Sequence, residues 1–237
     1  MIPKIIHYCW FGRTPLPKMT LKCIASWRKF FPDYEIKEWN EDNFDVNMIQ
    51  YTKDAYAAKK YAFVSDYARF WILYHYGGVY FDTDVEVIRQ MDDIIEKGAF
   101  MGVEVPAKKG TVPKVAPGLG LGVDSGQSLY RKLLDKYSSL RFLNVDGSIN
   151  QKTIVEYATE ILVECGLSNT NEIQFVAGVW IYPYDFFNPL DSLTGKIMVT
   201  NNTRSIHWYM GSWSGTPKFY RFFSKLYHRL VGISSLR

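Results

Sequence analysis

Two hydrophobic periods alternate along the chain. The stretch "PKIIHYCWF" (3–11) opens with β-branched residues and reads as a first strand, followed by the Gly/Pro loop "GRTPLP". Ile24, Trp27 and Phe31 then recur at offsets of three and four, which predicts a helix over 19–31 stopped by Pro32. "YEIKEW" returns to a strand pattern. A strand, a loop, a helix and a second strand in this order predict the start of an α/β sheet.

The strongest helical pattern lies at 55–76, where Phe63, Tyr67, Phe70, Trp71 and Tyr74 make a broad apolar stripe. Gly77 and Gly78 suit a helix C-terminus, because glycine takes positive φ there without a steric penalty. A strand over 79–88 should follow at once. Its alternation sends Val79, Phe81, Val85 and Val87 one way and Tyr80, Asp82, Asp84 and Glu86 the other. Beyond residue 100 the pattern weakens. Residues 106–126, rich in Gly, Pro and Lys, read as a mobile loop leading to a short strand. Residues 127–141 and 150–165 read as helices, "FVAGVWIYPYDFF" contains a strand, and "RSIHWYMGSWSG" is a late strand running into a Gly/Ser loop. With no internal repeat or linker, one domain over 1–217 is expected, followed by a basic-aromatic tail at 218–237.

Composition narrows the class without naming it. The 237 residues are 47% hydrophobic and 22% charged, enough for one sizeable core. A net charge of +4 is too mild to argue for nucleic acid. Cys9, Cys23 and Cys165 lack paired spacing, which argues against a zinc site or disulfide framework and suits a reducing compartment. The run "FWILYHYGGVYF" is too short to span a bilayer. The expectation is a soluble, cytoplasmic protein.

The chemistry concentrates in "GGVYFDTDVEV" (77–87). Carboxylates two apart on a strand share a face at roughly 6.5 Å, a spacing that suits one hard divalent ion such as Mg²⁺ or Mn²⁺. A solvated acidic face is the alternative, and a lone DxD is a weak motif. Its place at the carboxyl end of an expected central strand, where open α/β sheets bind ligands, strengthens it. In "YAFVSDYAR", Asp66 and Arg69 share a helix face and interrupt an otherwise apolar pattern, and buried charges need partners. Trp10 could stack on a base or fill the core. His207 could be a core histidine or complete a metal site.

Taken together, "IPKIIHYCWFG", "YAFVSDYARFWILYHYGGVYFDTDVEV" and "SIHWYMGSW" resemble glycosyltransferase family 32, which is similar to the glucosylating clostridial toxins. The resemblance is densest over 1–105 and returns at 204–213. It implies a GT-A-like fold, a Rossmann-like mixed sheet flanked by helices. It also implies a nucleotide-sugar donor, Mn²⁺ or Mg²⁺, and net retention at the anomeric carbon. By motif, Trp10 would stack on the nucleobase, and Asp66 and Arg69 would hold donor sugar and diphosphate. Tyr80 would line the site, Asp82 would contact ribose and metal-bound water, and Asp84 would ligate the metal. His207 would lie near the metal, with Ser212 and Trp213 reaching the diphosphate. "NVDGSINQKTIVEYA" lacks the Gly-Pro pair many relatives carry there, and no acceptor-side role is assigned to Asp124 or Asp146.

The resemblance favours a UDP-sugar over a GDP-sugar and a saccharide or lipid-linked acceptor, as in capsular polysaccharide synthesis. Lys218, Arg221, Lys225 and Arg229, interleaved with aromatic residues, allow peripheral membrane contact at the inner face or packing on the domain. Two competing functions are a non-catalytic Ca²⁺- or carbohydrate-binding protein and a metal-dependent phosphohydrolase. Trp10, Asp66 and Arg69 argue against the binding protein, since a calcium site needs no base-stacking group.

Overall fold

The computed structural model describes residues 1–191 and 194–210. Ser212, Trp213 and the tail 218–237 lie outside the described residues. The chain runs β1 (Ile5–Cys9), α1 (Lys18–Phe30), β2 (Glu35–Trp39), α2 (Gln50–Ala57), α3 (Tyr61–Tyr76), β3 (Gly78–Tyr80) and β4 (Val85–Val87). It continues through α4 (Asp92–Ile95), β5 (Phe100–Val105), β6 (Lys114–Val115), β7 (Leu121–Val123), α5 (Ser128–Ser139) and α6 (Ile154–Glu164). β8 (Gln174–Val176), β9 (Val179–Tyr182), α7 (Tyr184–Phe187) and β10 (Ser205–His207) complete it. No helix among the described residues is long and apolar enough to cross a membrane.

The main sheet has the order β2-β1-β3-β7-β5-β9-β8, with β6 on β5. β2, β1 and β3 are mutually parallel, β7 runs against β3 and β5, and β9 is parallel to β5. The mixed α/β sheet expected from the sequence is therefore present. One face packs on α2, α3, α5 and α6 through Val64, Phe70, Leu73, Tyr130 and Leu133. The other packs on α1, α7 and a two-stranded ribbon of β4 and β10 through Trp27, Phe81, Phe187 and Ile206.

Three expectations change. The single helix over 55–76 is two helices, because the chain turns at 58–60, where Lys59 takes φ 57°. The interval 106–126 does lead to a short strand, β7, but Val115–Val123 is buried and β7 lies at the centre of the sheet. Glycine and proline, read as loop signals, here allow close approach. A Cβ on Gly122 would meet the Phe100 ring at 2.1 Å. The strand expected over 79–88 is also broken. After Tyr80 the chain leaves the main sheet, turns through Asp82–Asp84 with Val85 N–H donating to the Asp82 carbonyl at 3.0 Å, and forms β4 in the separate ribbon with β10.

Helix α1 fixes that ribbon. Trp27, fully buried, donates its indole N–H to the Val85 carbonyl at 2.8 Å. Ser26 Oγ accepts the Val87 N–H at 3.0 Å, and Lys22 pairs with Glu86 at 3.0 Å. Lys22 and Ser26, four apart, share a face of α1, and Trp27 adjoins Ser26 around the helix. Trp27→Phe keeps an aromatic ring but a smaller one, and it strands a buried carbonyl. It should cost about 2 kcal/mol and lower Tm by roughly 4–8 °C, read by thermal denaturation.

Candidate functional site at the carboxyl end of the sheet

The parallel register of β1 and β3 (His7 opposite Tyr80) brings the residues after both strands to one end of the sheet. The ends are anchored from below. His7 is fully buried, with Nε2 3.0 Å from the Gly77 carbonyl and Nδ1 accepting from the Trp39 indole at 3.0 Å. Burial pulls its pKa down to about 4, so it is a neutral structural histidine. Gly77 takes φ 64°, the positive value expected at the end of α3, but with ψ −164° it leads straight into β3.

Arg69 is the centre of the site, with its side chain only 4% exposed. Its Nη2 is 2.8 Å from Asp66, one turn back on α3, and its Nε donates to the Ser65 carbonyl at 3.1 Å. Its two terminal nitrogens face both oxygens of Asp82, each at 3.3 Å. The guanidinium also sits 5.0 Å above the Tyr80 ring, whose hydroxyl donates to Asp82 at 3.1 Å. Asp66, Arg69, Tyr80 and Asp82 are thus gathered as expected. Burial alone would weaken the Arg69 charge, but Asp82, Tyr80 and Asp66 outweigh it and hold the guanidinium protonated. For Asp66, burial outweighs the help from Arg69 and raises its pKa to about 7.

Asp84 has separate partners. One oxygen lies 3.0 Å from His207 Nε2, and the other accepts the Met210 N–H at 2.8 Å. Its backbone carbonyl accepts the Trp208 N–H at 3.0 Å. Burial opposes the charge on both side chains, yet their mutual attraction prevails, lowering the Asp84 pKa and raising that of His207. Glu86 takes Lys22 and the Trp208 indole N–H. The three acids of the motif therefore do not share one strand face. Each has its own cationic partner, and that answers the repulsion their spacing implies.

Carboxylate oxygen and imidazole nitrogen suit Mn²⁺ or Mg²⁺. His207 Nδ1 is buried without a hydrogen-bond partner. Asp84 and His207 form a two-donor arm of that chemistry, while Asp82 faces Arg69. Among the described residues no three such donors are gathered as a cage. Trp10 follows β1 at the same end of the sheet, half-buried, its indole N–H donating to the Thr14 carbonyl at 2.6 Å. Asp124 lies just past β7, at the opposite end.

Gly118 is a site residue the sequence reading missed. Its carbonyl accepts the Asp82 N–H at 3.2 Å, and a Cβ there would stand 2.0 Å from an Asp82 oxygen and 3.2 Å from Arg69. The signal was present in "APGLGLG", where Gly118, Gly120 and Gly122 recur at strand spacing, as they would on a face pressed against larger side chains.

Residues 17–101 match a family model described as a glycosyltransferase sugar-binding region containing DXD motif. The inositol phosphoceramide mannosyltransferase 1 of Schizosaccharomyces pombe is 30% identical over 111 residues, 42% of this chain and 33% of that protein. The mannosyl phosphorylinositol ceramide synthase CSH1 of Saccharomyces cerevisiae is 30% identical over 105 residues, 43% of this chain and 28% of that one. The match thus spans about a third of the length of these relatives. Among solved structures, the PaToxG glycosyltransferase superposes with a TM-score of 0.51 at 19% identity, covering 69% of each chain. A glycosyltransferase involved in glycosylation of the major capsid of PBCV-1 gives 0.51 at 11% identity, covering 94% of this chain and all of that one. These likenesses bear out the expected resemblance and the GT-A-like fold.

Two predictions follow from this geometry. Gly118→Ala has no strained φ to accommodate, so its effect should fall on Asp82. It should weaken the nucleotide-sugar binding proposed below at least tenfold by calorimetry while lowering Tm by no more than a few degrees. Because the folded-state pKa of Asp66 is raised, its contribution to stability is complete below pH ~4 and is lost as pH rises through about 7. Asp66→Asn cannot lose it, so the Tm of the variant relative to wild type should climb between pH 4 and 8. A parallel pair of curves would contradict this.

Proposed function

We propose that this protein is a metal-dependent glycosyltransferase that moves a hexose, with retention, from a nucleotide-sugar to a saccharide or lipid-linked saccharide. The observation that carries the reading is the buried Asp66–Arg69–Asp82 cluster beside the Asp84–His207 pair. Both lie at the carboxyl end of the sheet, and the motif lies inside the matched DXD region.

Trp10 stacks on the nucleobase. Arg69, held charged and aimed by two carboxylates, faces the diphosphate and stabilises the negative charge that builds as the anomeric bond breaks. Asp66 and Asp82 exceed Arg69 by one carboxylate, so they can accept hydrogen bonds from sugar and ribose hydroxyls without freeing the guanidinium. Asp84 and His207 would hold a divalent ion, with Asp82 beside them. When bound, the ion supplies further charge stabilisation at the leaving diphosphate. Ser212 and Trp213 are assigned to the diphosphate from beyond the described residues. The acceptor hydroxyl attacks from the face the diphosphate leaves, and its proton passes to the departing phosphate.

UDP is the favoured nucleotide from the resemblance. Mannose is the sugar in the names of the curated relatives, so mannosyl donors belong in any trial. A role in surface polysaccharide synthesis at the inner face of the membrane, with 218–237 in peripheral contact, fits a lipid-linked acceptor.

The test is a thermal shift with UDP-glucose, UDP-galactose and GDP-mannose, each with Mn²⁺, with Mg²⁺ and with EDTA. A ligand at about 100 times its Kd adds on the order of 2.7 kcal/mol. A shift with one nucleotide that EDTA removes is expected. No shift with any of them would sink the reading and bring forward a binding protein that uses the acidic turn alone.

A further inference from the structure

The carboxyl end of β5 carries a carboxylate that the donor-side reading leaves without a task. β5 is parallel to β3 and separated from it by β7, so Glu104 emerges at the same end of the sheet as Asp82. Two strand spacings put it roughly 10 Å to one side, about the room a hexose ring needs. Along β5, Phe100 and Gly102 pack on the side of α7 and the β4–β10 ribbon, and past a register shift at Val103–Val105 Glu104 meets Asn188 and Tyr209 on that side.

Its surroundings differ from those of the other acids. Asp66, Asp82, Asp84 and Glu86 each have a cationic partner. Glu104 is half-buried and makes no ion pair among the described residues, although its charge acts on nearby His207. The Tyr209 side chain lies beside its carboxylate, and its backbone carbonyl accepts a hydrogen bond from Asn188 Nδ2 at 3.0 Å. Asn188 is only 6% exposed, and its Oδ1 has no hydrogen-bond partner. The Tyr209 ring lies edge-on to His207 with centroids 4.2 Å apart, which joins this cluster to the Asp84 arm.

A carboxylate without an ion-pair partner, a buried amide oxygen without a hydrogen bond and a phenol leave acceptor capacity open on one side of β5. Adjacent sugar hydroxyls supply donors at that spacing, and an aromatic ring supplies the apolar contact a pyranose face prefers. We propose that Glu104, framed by Asn188 and Tyr209, binds the hydroxyls of the acceptor sugar, a neutral pyranoside. The word acceptor rests on the transferase reading, which puts the donor at β1 and β3. The affinity for a pyranoside does not.

The test uses methyl α-mannoside, methyl α-glucoside and methyl α-galactoside, with binding read by saturation-transfer NMR titration. At least one should bind the wild type. Glu104→Gln, which keeps shape and removes charge, should weaken it at least tenfold. Tyr209→Phe, which keeps the ring and removes the phenol contact, should weaken it several-fold. Both variants should keep the thermal shift given by nucleotide-sugar and Mn²⁺. Binding to neither variant nor wild type, or equal binding to all three proteins, overturns the proposal. So does loss of the Mn²⁺-dependent shift in Glu104→Gln, which would make Glu104 a donor-side group. Glu104-dependent pyranoside binding without any nucleotide shift would leave the sugar site standing and remove the transferase reading.

Discussion

The rest of the site depends on one buried guanidinium. Arg69 lies on α3 among aromatic and aliphatic side chains, where an unpaired charge would be costly, and Asp66 and Asp82 make its burial tolerable. The arrangement works in both directions. Asp82 belongs to a turn that has left the main sheet, and its two bonds to Arg69 pin that turn to a helix. Gly118 closes the third side, since no larger residue could stand against the Asp82 carboxylate. Helix, turn and buried glycine therefore position one carboxylate.

The same logic extends along the motif. Asp82, Asp84 and Glu86 come from three different structural situations: a turn bound to α3, a turn bound to the end of β10, and a ribbon strand clamped by α1. Breaking the strand separates the charges and lets each meet its own cation. A continuous strand would have lined them up without partners. The break also aims Asp82 and Asp84 at different tasks, one toward an arginine and one toward an imidazole.

Much of this was legible in the sequence because periodicity and composition agreed. The apolar stripe on α3, the glycines at its end and the β-branched run of β1 all correspond to observed elements. Asp66 and Arg69 stood out because they interrupt an apolar helix, and the structure joins them. What stayed illegible depends on non-local pairing. The ribbon of β4 and β10 joins segments more than a hundred residues apart, and no local pattern records that. Glycine-rich "APGLGLG" imitates a loop because small residues serve both mobility and close packing. Glu104 sits at the end of an ordinary strand, and only the sheet order shows what lies beside it.

The proposal that this end of the sheet holds a divalent ion together with a nucleoside diphosphate is tested most directly by electron paramagnetic resonance of Mn²⁺. The signal of free Mn²⁺ should fall when protein and UDP or GDP are both present, beyond the loss with either alone, and Asp84→Asn should restore it. A free-ion signal that the protein leaves unchanged with both nucleotides, or a loss that survives Asp84→Asn, would contradict the account.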